Sequence, residues 1–251
     1  MLSKRSWLIL LLSATSMASA QARELLAVGT NFPRVFMFDD AGQPSGLAVD
    51  LLQRAAQSQG LKLRFETYPW ARAQAMVEQG QADILIGPYR TPEREKRFLF
   101  SQLAFYEDAM VFYAKRSNVE LWHGDVAALR GRSIGLVLGW SYGTALEQAR
   151  SSIKVSSPGD VATGLRMLQR GRIELLASNE RNTLPVLEEL GLSQELVPLH
   201  PPISTLAGHF AFTRNPAGEV LKQNFDRALE QERASGGLRA LARQWKVRGP
   251  E

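Results

Sequence analysis

The segment from Ala82 to Ser101 reads ADILIGPYRTPEREKRFLFS and decides the fold of the chain. Its apolar beginning predicts a strand over residues 84–86 that breaks at Gly87-Pro88. Thr91-Pro92-Glu93 then predicts a helix start, because threonine caps free amides, proline suits the first helical position and glutamate suits the positive end of the helix dipole. Open α/β sheets bind ligands where the carboxyl end of a strand meets such a helix.

Arg94 falls in the first turn of this predicted helix. Its forked cation then lies beside free backbone donors, and the two together suit a carboxylate or a similar anion. The alternative is a surface arginine paired with Glu93 or Glu95, and the segment taken alone favours that alternative. The rest of the chain has to decide between the two.

The first twenty residues have the pattern of a signal peptide. Lys4 and Arg5 precede an apolar run at 7–12, and Ala18-Ser19-Ala20 forms an A-x-A cleavage site. The apolar run is too short to be a membrane anchor. We therefore expect residues 1–20 to be removed, with cleavage after Ala20, and the remainder to be exported as a soluble protein.

Composition excludes several classes of function. The 251 residues contain no cysteine, which excludes disulfides, thiol catalysis and cysteine-based metal sites. The net charge of +5 is spread among acidic residues, as over 93–97, so we expect no nucleic-acid-binding face. His123, His200 and His209 lack the spacing of metal ligands, and we expect neither a metal nor a cofactor.

Two α/β units follow one another along the chain. The first has strands at 25–28, 61–65 and 82–86 and helices at 47–59 and 71–80. The second has strands at 133–137, 153–155 and 173–177 and helices at 144–150 and 160–170. This alternation predicts mostly parallel strands with helices on both faces, in two lobes rather than in one continuous sheet.

The end of the chain indicates a return to the first lobe. A strand at 209–212 and helices at 216–232 and 237–245 come after the second unit. Two crossings between the lobes make a hinge, and a ligand would lie between the lobes.

Several motifs match one family in the order in which that family carries them. They are Pro44-x-Gly46-x-x-x-Asp50-Leu51-Leu52, Gly80-Gln81-Ala82-Asp83, Thr91-Pro92-Glu93-Arg94 with Phe100-Ser101, Leu129-Arg130-Gly131-Arg132-Ser133-Ile134-Gly135 and the closing 238–245. With them the chain resembles the bacterial extracellular solute-binding proteins of family 3, receptors that feed polar amino acids to ABC transporters. The resemblance implies a two-lobed, class II periplasmic-binding-protein-like α/β fold. Lobe 1 would comprise 21–106 plus 206–251, and lobe 2 would comprise 107–205.

The resemblance also implies ligand-binding residues. Arg94 would grip a carboxylate, which reverses the preference for a surface role. Trp70, helped by Phe32 or Phe36, would form an aromatic wall, although Trp70 suits a core position equally and for Phe36 a core position is favoured. The remaining positions are Gly87, whose carbonyl would receive an ammonium group, Tyr89, which would reshape the pocket, and the second-lobe loop residues Trp140, Ser141 and Tyr142. The alternative for that loop, a plain turn, would leave large rings in water.

One departure from the family bears on the ligand. Amino-acid binders of this family carry an aspartate, which pairs with the ligand's ammonium, where this chain has Asn179. The acidic position after the first strand is Thr30 here. Asparagine supplies no charge, and burying an ammonium without a partner is costly. Either Glu180 substitutes, or the ligand is not an α-amino acid.

The function implied is a monomeric periplasmic receptor that closes over a small carboxylate-bearing solute and delivers it to an ABC transporter permease. Two alternatives stay open. One is a dehydratase-type enzyme on the same fold, with Glu180 or His209 as acid or base. The other is a sensor whose closed form docks on a membrane receptor.

Overall fold

The computed structural model describes residues 24–249, and the signal peptide predicted over 1–20 lies outside them. The strands are β1 (Glu24–Gly29), β2 (Met37–Phe38), β3 (Pro44–Ser45), β4 (Lys62–Thr67), β5 (Ile84–Tyr89), β6 (Phe98–Phe100), β7 (Tyr106–Lys115), β8 (Ser133–Leu136), β9 (Lys154–Ser156), β10 (Leu175–Asn179) and β11 (Leu196–Thr213). The α-helices are α1 (Leu47–Gln57), α2 (Trp70–Glu78), α3 (Pro92–Glu95), α4 (Thr144–Gln148), α5 (Val161–Gln169), α6 (Glu180–Glu189), α7 (Pro216–Ala234) and α8 (Gly237–Gln244).

The first lobe is built on three parallel strands in the order β4-β1-β5. Helices α1 and α2 supply the crossovers that parallel strands require. The apolar residues of α1 recur at helical spacing and are buried, from Leu47 to Ala56. This is the strand–helix order predicted from the sequence.

The second lobe repeats the arrangement around β10, which pairs in parallel with β8 and antiparallel with β7. β9 completes the edge beside β8. Asp160 caps the start of helix α5, because its carboxylate accepts a hydrogen bond of 2.6 Å from the amide of Thr163. The fold is therefore the two-lobed α/β architecture expected.

Two long strands join the lobes. β11 pairs with β7 from Leu196 to Gly208, with a register shift between Leu199 and Ser204, and then with β5 as far as Phe212. Nine of the eleven described strands thus form one hydrogen-bonded sheet that spans both lobes, which corrects the expectation of separate sheets, and β2 and β3 pair only with each other. The reason is that the returning strand is 18 residues long and stays paired through both chain crossings. The predicted lobe boundaries fall inside β7 and β11 and stay a prediction.

The segment from Ala82 to Ser101 differs from the prediction at its turn. β5 does not break at Gly87-Pro88 but continues to Tyr89. Gly87 has a φ of +82°, and the pairing with β11 shifts register between Gly208 and Phe210. Glycine tolerates this left-handed backbone, so the strand absorbs an extra residue as a bulge.

Helix α6 was missed from the sequence. It carries Pro185 in its interior, which argues against a helix when the sequence is considered alone. Asn179 caps the start of this helix, because its side-chain oxygen accepts a hydrogen bond of 2.8 Å from the amide of Asn182. Within residues 24–249, none of the helices is both long enough and apolar enough to cross a bilayer.

The core of the first lobe should depend on Phe210 of β11. Its ring stacks on Phe105 at 4.1 Å between centroids and is fully buried. Phe210→Ala should lower the free energy of unfolding by about 3–5 kcal/mol, because a cavity replaces the ring. The control Val220→Ala, at a position 59 % exposed on α7, should change it by less than about 0.5 kcal/mol. Equal urea midpoints for the two variants would contradict this account.

Candidate functional site

A small cavity lies between the lobes. The residues that line it are Phe32, Trp70, Gly87, Tyr89, Arg94, Trp140, Ser141 and Asn179. All eight are among the nine ligand-binding residues predicted from the sequence. The structure therefore brings them together from both lobes, and their role in binding stays a prediction.

Arg94 projects into this cavity from α3 and is only 7 % exposed. Thr91 caps the short helix as predicted, accepting a hydrogen bond of 3.3 Å from the Arg94 amide. The guanidinium donates from Nη1 to the Tyr89 carbonyl and from Nη2 to the Gly139 carbonyl, each at 2.9 Å. Burial lowers the pKa of Arg94 from its usual value.

The surface alternative for Arg94 is wrong. Glu95 pairs with Arg90 instead, and neither Glu93 nor Glu95 reaches the buried guanidinium. Among residues 24–249, no carboxylate lies within ion-pair distance of Arg94. A buried cation thus contacts neutral acceptors only, although a guanidinium has five N–H donors to offer.

Trp70 and Phe32 form the aromatic side of the cavity. The Trp70 ring packs edge-on to Phe32 at 5.5 Å and lies under the Arg94 guanidinium at 5.7 Å. Its indole Nε1 donates to the Gly139 carbonyl at 3.1 Å. One carbonyl of the second lobe therefore accepts hydrogen bonds from two side chains of the first lobe.

Two predicted aromatic residues do not line the cavity. Phe36 is fully buried in the first-lobe core against Phe65, which is the favoured alternative. Tyr142 is also fully buried, and its hydroxyl donates to the Val137 carbonyl at 3.4 Å within the second lobe. Tyr142 therefore supports the loop that presents its neighbour Ser141, because its own ring is needed in the core.

Tyr89 reaches across the base of the cavity. Its hydroxyl donates to Oδ2 of Asp108 at 2.7 Å and accepts from Nδ2 of Asn179 at 3.2 Å. Burial, and then the Asp108 charge, raise the pKa of Tyr89 well above its usual value, so the hydroxyl keeps its proton. Tyr89 thereby joins the two lobes in one polar network, and its expected effect on the shape of the pocket stays a prediction.

Sequence inspection missed Asp108 and Arg181. Arg181 of α6 donates to both carboxylate oxygens of Asp108, from Nε at 2.9 Å and from Nη2 at 2.7 Å, and from Nη1 to the Pro33 carbonyl at 2.7 Å. Burial acts to lower the pKa of Arg181, but Asp108 outweighs it and the pKa is raised. The acidic pair Glu107-Asp108 directly before the apolar run 109–114 was the available signal for Asp108.

The suggested acid–base residues lie elsewhere. Glu180, which was a possible substitute for the missing aspartate, points to His200 at 3.6 Å rather than to the cavity. His209 is buried in the first lobe with Nδ1 3.0 Å from the Ser101 carbonyl, and burial lowers its pKa. Within the described chain, no cluster of three or more metal-ligating side chains is present.

Comparison with known proteins agrees with this geometry. Residues 26–248 match the model of the bacterial extracellular solute-binding proteins, family 3, and the chain belongs to that family. It is 25 % identical to the L-cystine-binding protein TcyA of Bacillus subtilis (strain 168) over 91 % of this chain and 83 % of that protein.

Solved structures share the fold. A histidine kinase sensor domain with similarity to periplasmic binding proteins superposes with a TM-score of 0.76 at 21 % identity, covering 91 % of this chain and 99 % of that one. The substrate-binding protein of an amino acid ABC transporter superposes with a TM-score of 0.73 at 19 % identity, covering 89 % and 99 %. The fold of this chain is thus that of the periplasmic solute-binding proteins.

The stability of the fold should depend on the absence of a side chain at Gly87. A Cβ there would lie 3.0 Å from the Tyr106 hydroxyl and 3.2 Å from the Phe32 ring, at a φ of +82°. Gly87→Ala should therefore cost about 1–2 kcal/mol of unfolding free energy in backbone strain and about 1–3 kcal/mol more in overpacking.

Gly42→Ala is the matched control, because Gly42 has a φ of +72° but nothing within 4 Å of a new Cβ. It should show the backbone cost alone. Urea unfolding of both variants checks the difference, and equal losses would mean that the contacts at Gly87 cost nothing.

Proposed function

We propose that this protein is a monomeric periplasmic receptor that captures a small carboxylate-bearing solute, an amino acid or a related carboxylate, between its lobes and delivers it to an ABC transporter permease. The observation that carries the proposal is the buried, unpaired cation of Arg94 at the cavity. Its two neutral acceptors leave other N–H donors for an anion. An anionic ligand would supply the charge partner that residues 24–249 do not place beside it.

Closure of the lobes would complete the site. The Gly139 carbonyl belongs to the second lobe, and Arg94 and Trp70 of the first lobe both donate to it. These contacts exist only when the lobes are together. The Arg94 guanidinium therefore takes part both in closure of the lobes and in binding of the ligand. A ligand held by Arg94 then favours the closed form, which a permease would recognise.

The aromatic wall suits the rest of the solute. Phe32, Trp70 and Trp140 line the cavity beside Arg94. Such rings cover apolar groups and exclude water, which strengthens the contact of the carboxylate with the guanidinium. Relatives such as the cystine-binding protein TcyA make a small zwitterionic or anionic solute the natural expectation.

Binding without chemistry is part of the proposal. Neither Glu180 nor His209 lines the cavity, so the groups suggested for acid–base catalysis are not where a substrate would lie. Purified protein should form no product from prephenate or arogenate. Turnover of either compound would replace the receptor by a dehydratase-type enzyme.

Arg94→Gln should strongly weaken binding while leaving the free protein folded. Glutamine keeps a polar side chain but removes the charge, so affinity for a carboxylate should fall by about 30-fold or more. A thermal-shift screen of the mature protein against amino acids, polyamines, carboxylates and short peptides provides the measurement, because a ligand raises the melting temperature by mass action.

Arg90→Gln is the control for this screen. Arg90 lies four residues away, is exposed and pairs with Glu95 outside the cavity. Its loss should leave every ligand-induced shift unchanged. Equal binding by the parent and by Arg94→Gln would refute the carboxylate contact.

A further inference from the structure

A buried carboxylate behind the cavity lining is already neutralised. Asp108 lies directly behind Tyr89 and is 3 % exposed. Arg181 contacts both of its oxygens, at 2.9 and 2.7 Å, and the Tyr89 hydroxyl donates to one of them at 2.7 Å. A bidentate guanidinium pair of this kind is geometrically specific and cancels the charge of the carboxylate.

Arg181 is itself held in place by both lobes. It extends from α6 of the second lobe, donates to the Pro33 carbonyl of the first lobe at 2.7 Å and lies over the Tyr106 ring at 5.1 Å. It also donates to Oδ1 of Asn182 at 2.9 Å. With these acceptors and a ring face around it, the guanidinium is a fixed part of the closed site.

The side-chain amide of Asn179, which faces the cavity, already has hydrogen-bond partners within the protein. Asn179 donates to the Tyr89 hydroxyl at 3.2 Å, and its oxygen accepts from the Asn182 amide at 2.8 Å as the cap of α6. None of the eight residues that line the cavity carries a carboxylate side chain. The site therefore has donors for an anion but no charged acceptor for an ammonium group.

The charges of these groups select the ligand. Asp108 cancels Arg181, and Arg94 is the one charged side chain among the eight residues that line the cavity. A zwitterion would bring an ammonium that has to leave water without a charged partner, which is costly. A monoanion with an apolar body meets both requirements, because Arg94 takes its charge and the aromatic residues cover the remainder.

We infer that the ligand is a small monocarboxylate without an ammonium group, and that Arg181 excludes α-amino acids by occupying Asp108. This inference rests on the proposed function, since it assumes that the cavity holds a carboxylate on Arg94. It narrows the class of ligand from carboxylates in general to carboxylates without an ammonium group. Arg181 thus acts as a specificity-determining residue one hydrogen bond behind the cavity lining.

The test compares acids that differ only in the amino group. The pairs are propionate with L-alanine, 4-methylpentanoate with L-leucine, and 3-phenylpropionate with L-phenylalanine. At least one acid should raise the melting temperature of the parent but not that of Arg94→Gln. By calorimetry its Kd should be about tenfold or more below that of its amino acid, a factor worth about 1.4 kcal/mol.

Three outcomes of this comparison separate the proposed function, in which Arg94 binds a carboxylate, from the exclusion of amines. Tighter binding of the acid than of the amino acid through Arg94 supports both claims. Binding of the amino acid through Arg94, as tight as that of its acid or tighter, overturns the exclusion of amines and leaves the proposed function standing. Absence of any Arg94-dependent binding across the pairs overturns both.

Arg181→Met tests the role of the second arginine. Removal of its charge frees Asp108, so the variant should gain affinity for the amino acid and lose affinity for the acid, each by about tenfold. The double variant Asp108→Asn/Arg181→Met removes both charges and should keep the preference for the acid. This comparison separates the charge of Asp108 from the lost packing of Arg181.

An unchanged preference in Arg181→Met would overturn the role of Arg181. An unpaired buried carboxylate is strongly destabilising, and the single variant has to be checked for folding by circular dichroism. If it does not fold, the double variant and the parent decide the matter. A double variant that prefers the amino acid would then contradict the account.

Discussion

A guanidinium that is nearly excluded from water has to find acceptors, and the arrangement around Arg94 is the consequence. Its donors reach the Tyr89 carbonyl on its own lobe and the Gly139 carbonyl on the other, each at 2.9 Å. Hydrogen bonds to carbonyls satisfy the N–H groups but do not neutralise the charge. The closed form therefore keeps an unbalanced cation at a cavity lined by aromatic rings, which is the property that a binding site for an anion needs.

The hinge makes this arrangement possible. β7 and β11 stay hydrogen-bonded to each other through both chain crossings, with a register shift between Leu199 and Ser204. A shared pair of strands is a connection about which two lobes can approach or separate. The bulge at Gly87 lies where β5 pairs with β11. Gly87 itself lines the cavity, so the bulge brings the backbone of β5 to the cavity wall.

Specificity depends on a second arginine that does not line the cavity. In the site of an amino-acid binder, a buried acid would be available to the ligand's ammonium, but here Arg181 occupies Asp108. The pair also reaches across the cleft to Pro33, so the same contact contributes to closure. Arg181 thereby couples selection of the ligand's charge to the contact between the lobes. A substitution at Asp108 or Arg181 alone would disturb both.

Local sequence rules determined much of this protein. Alternating strands and helices predicted the α/β fold, and Thr91-Pro92 predicted the capped turn that carries Arg94, because caps and periodicity depend on neighbours along the chain. Only the tertiary structure decided that β11 joins both lobes, that Glu180 points away, and that Arg181 neutralises Asp108 from 73 residues away. Such pairings depend on distances in space, which no local pattern encodes.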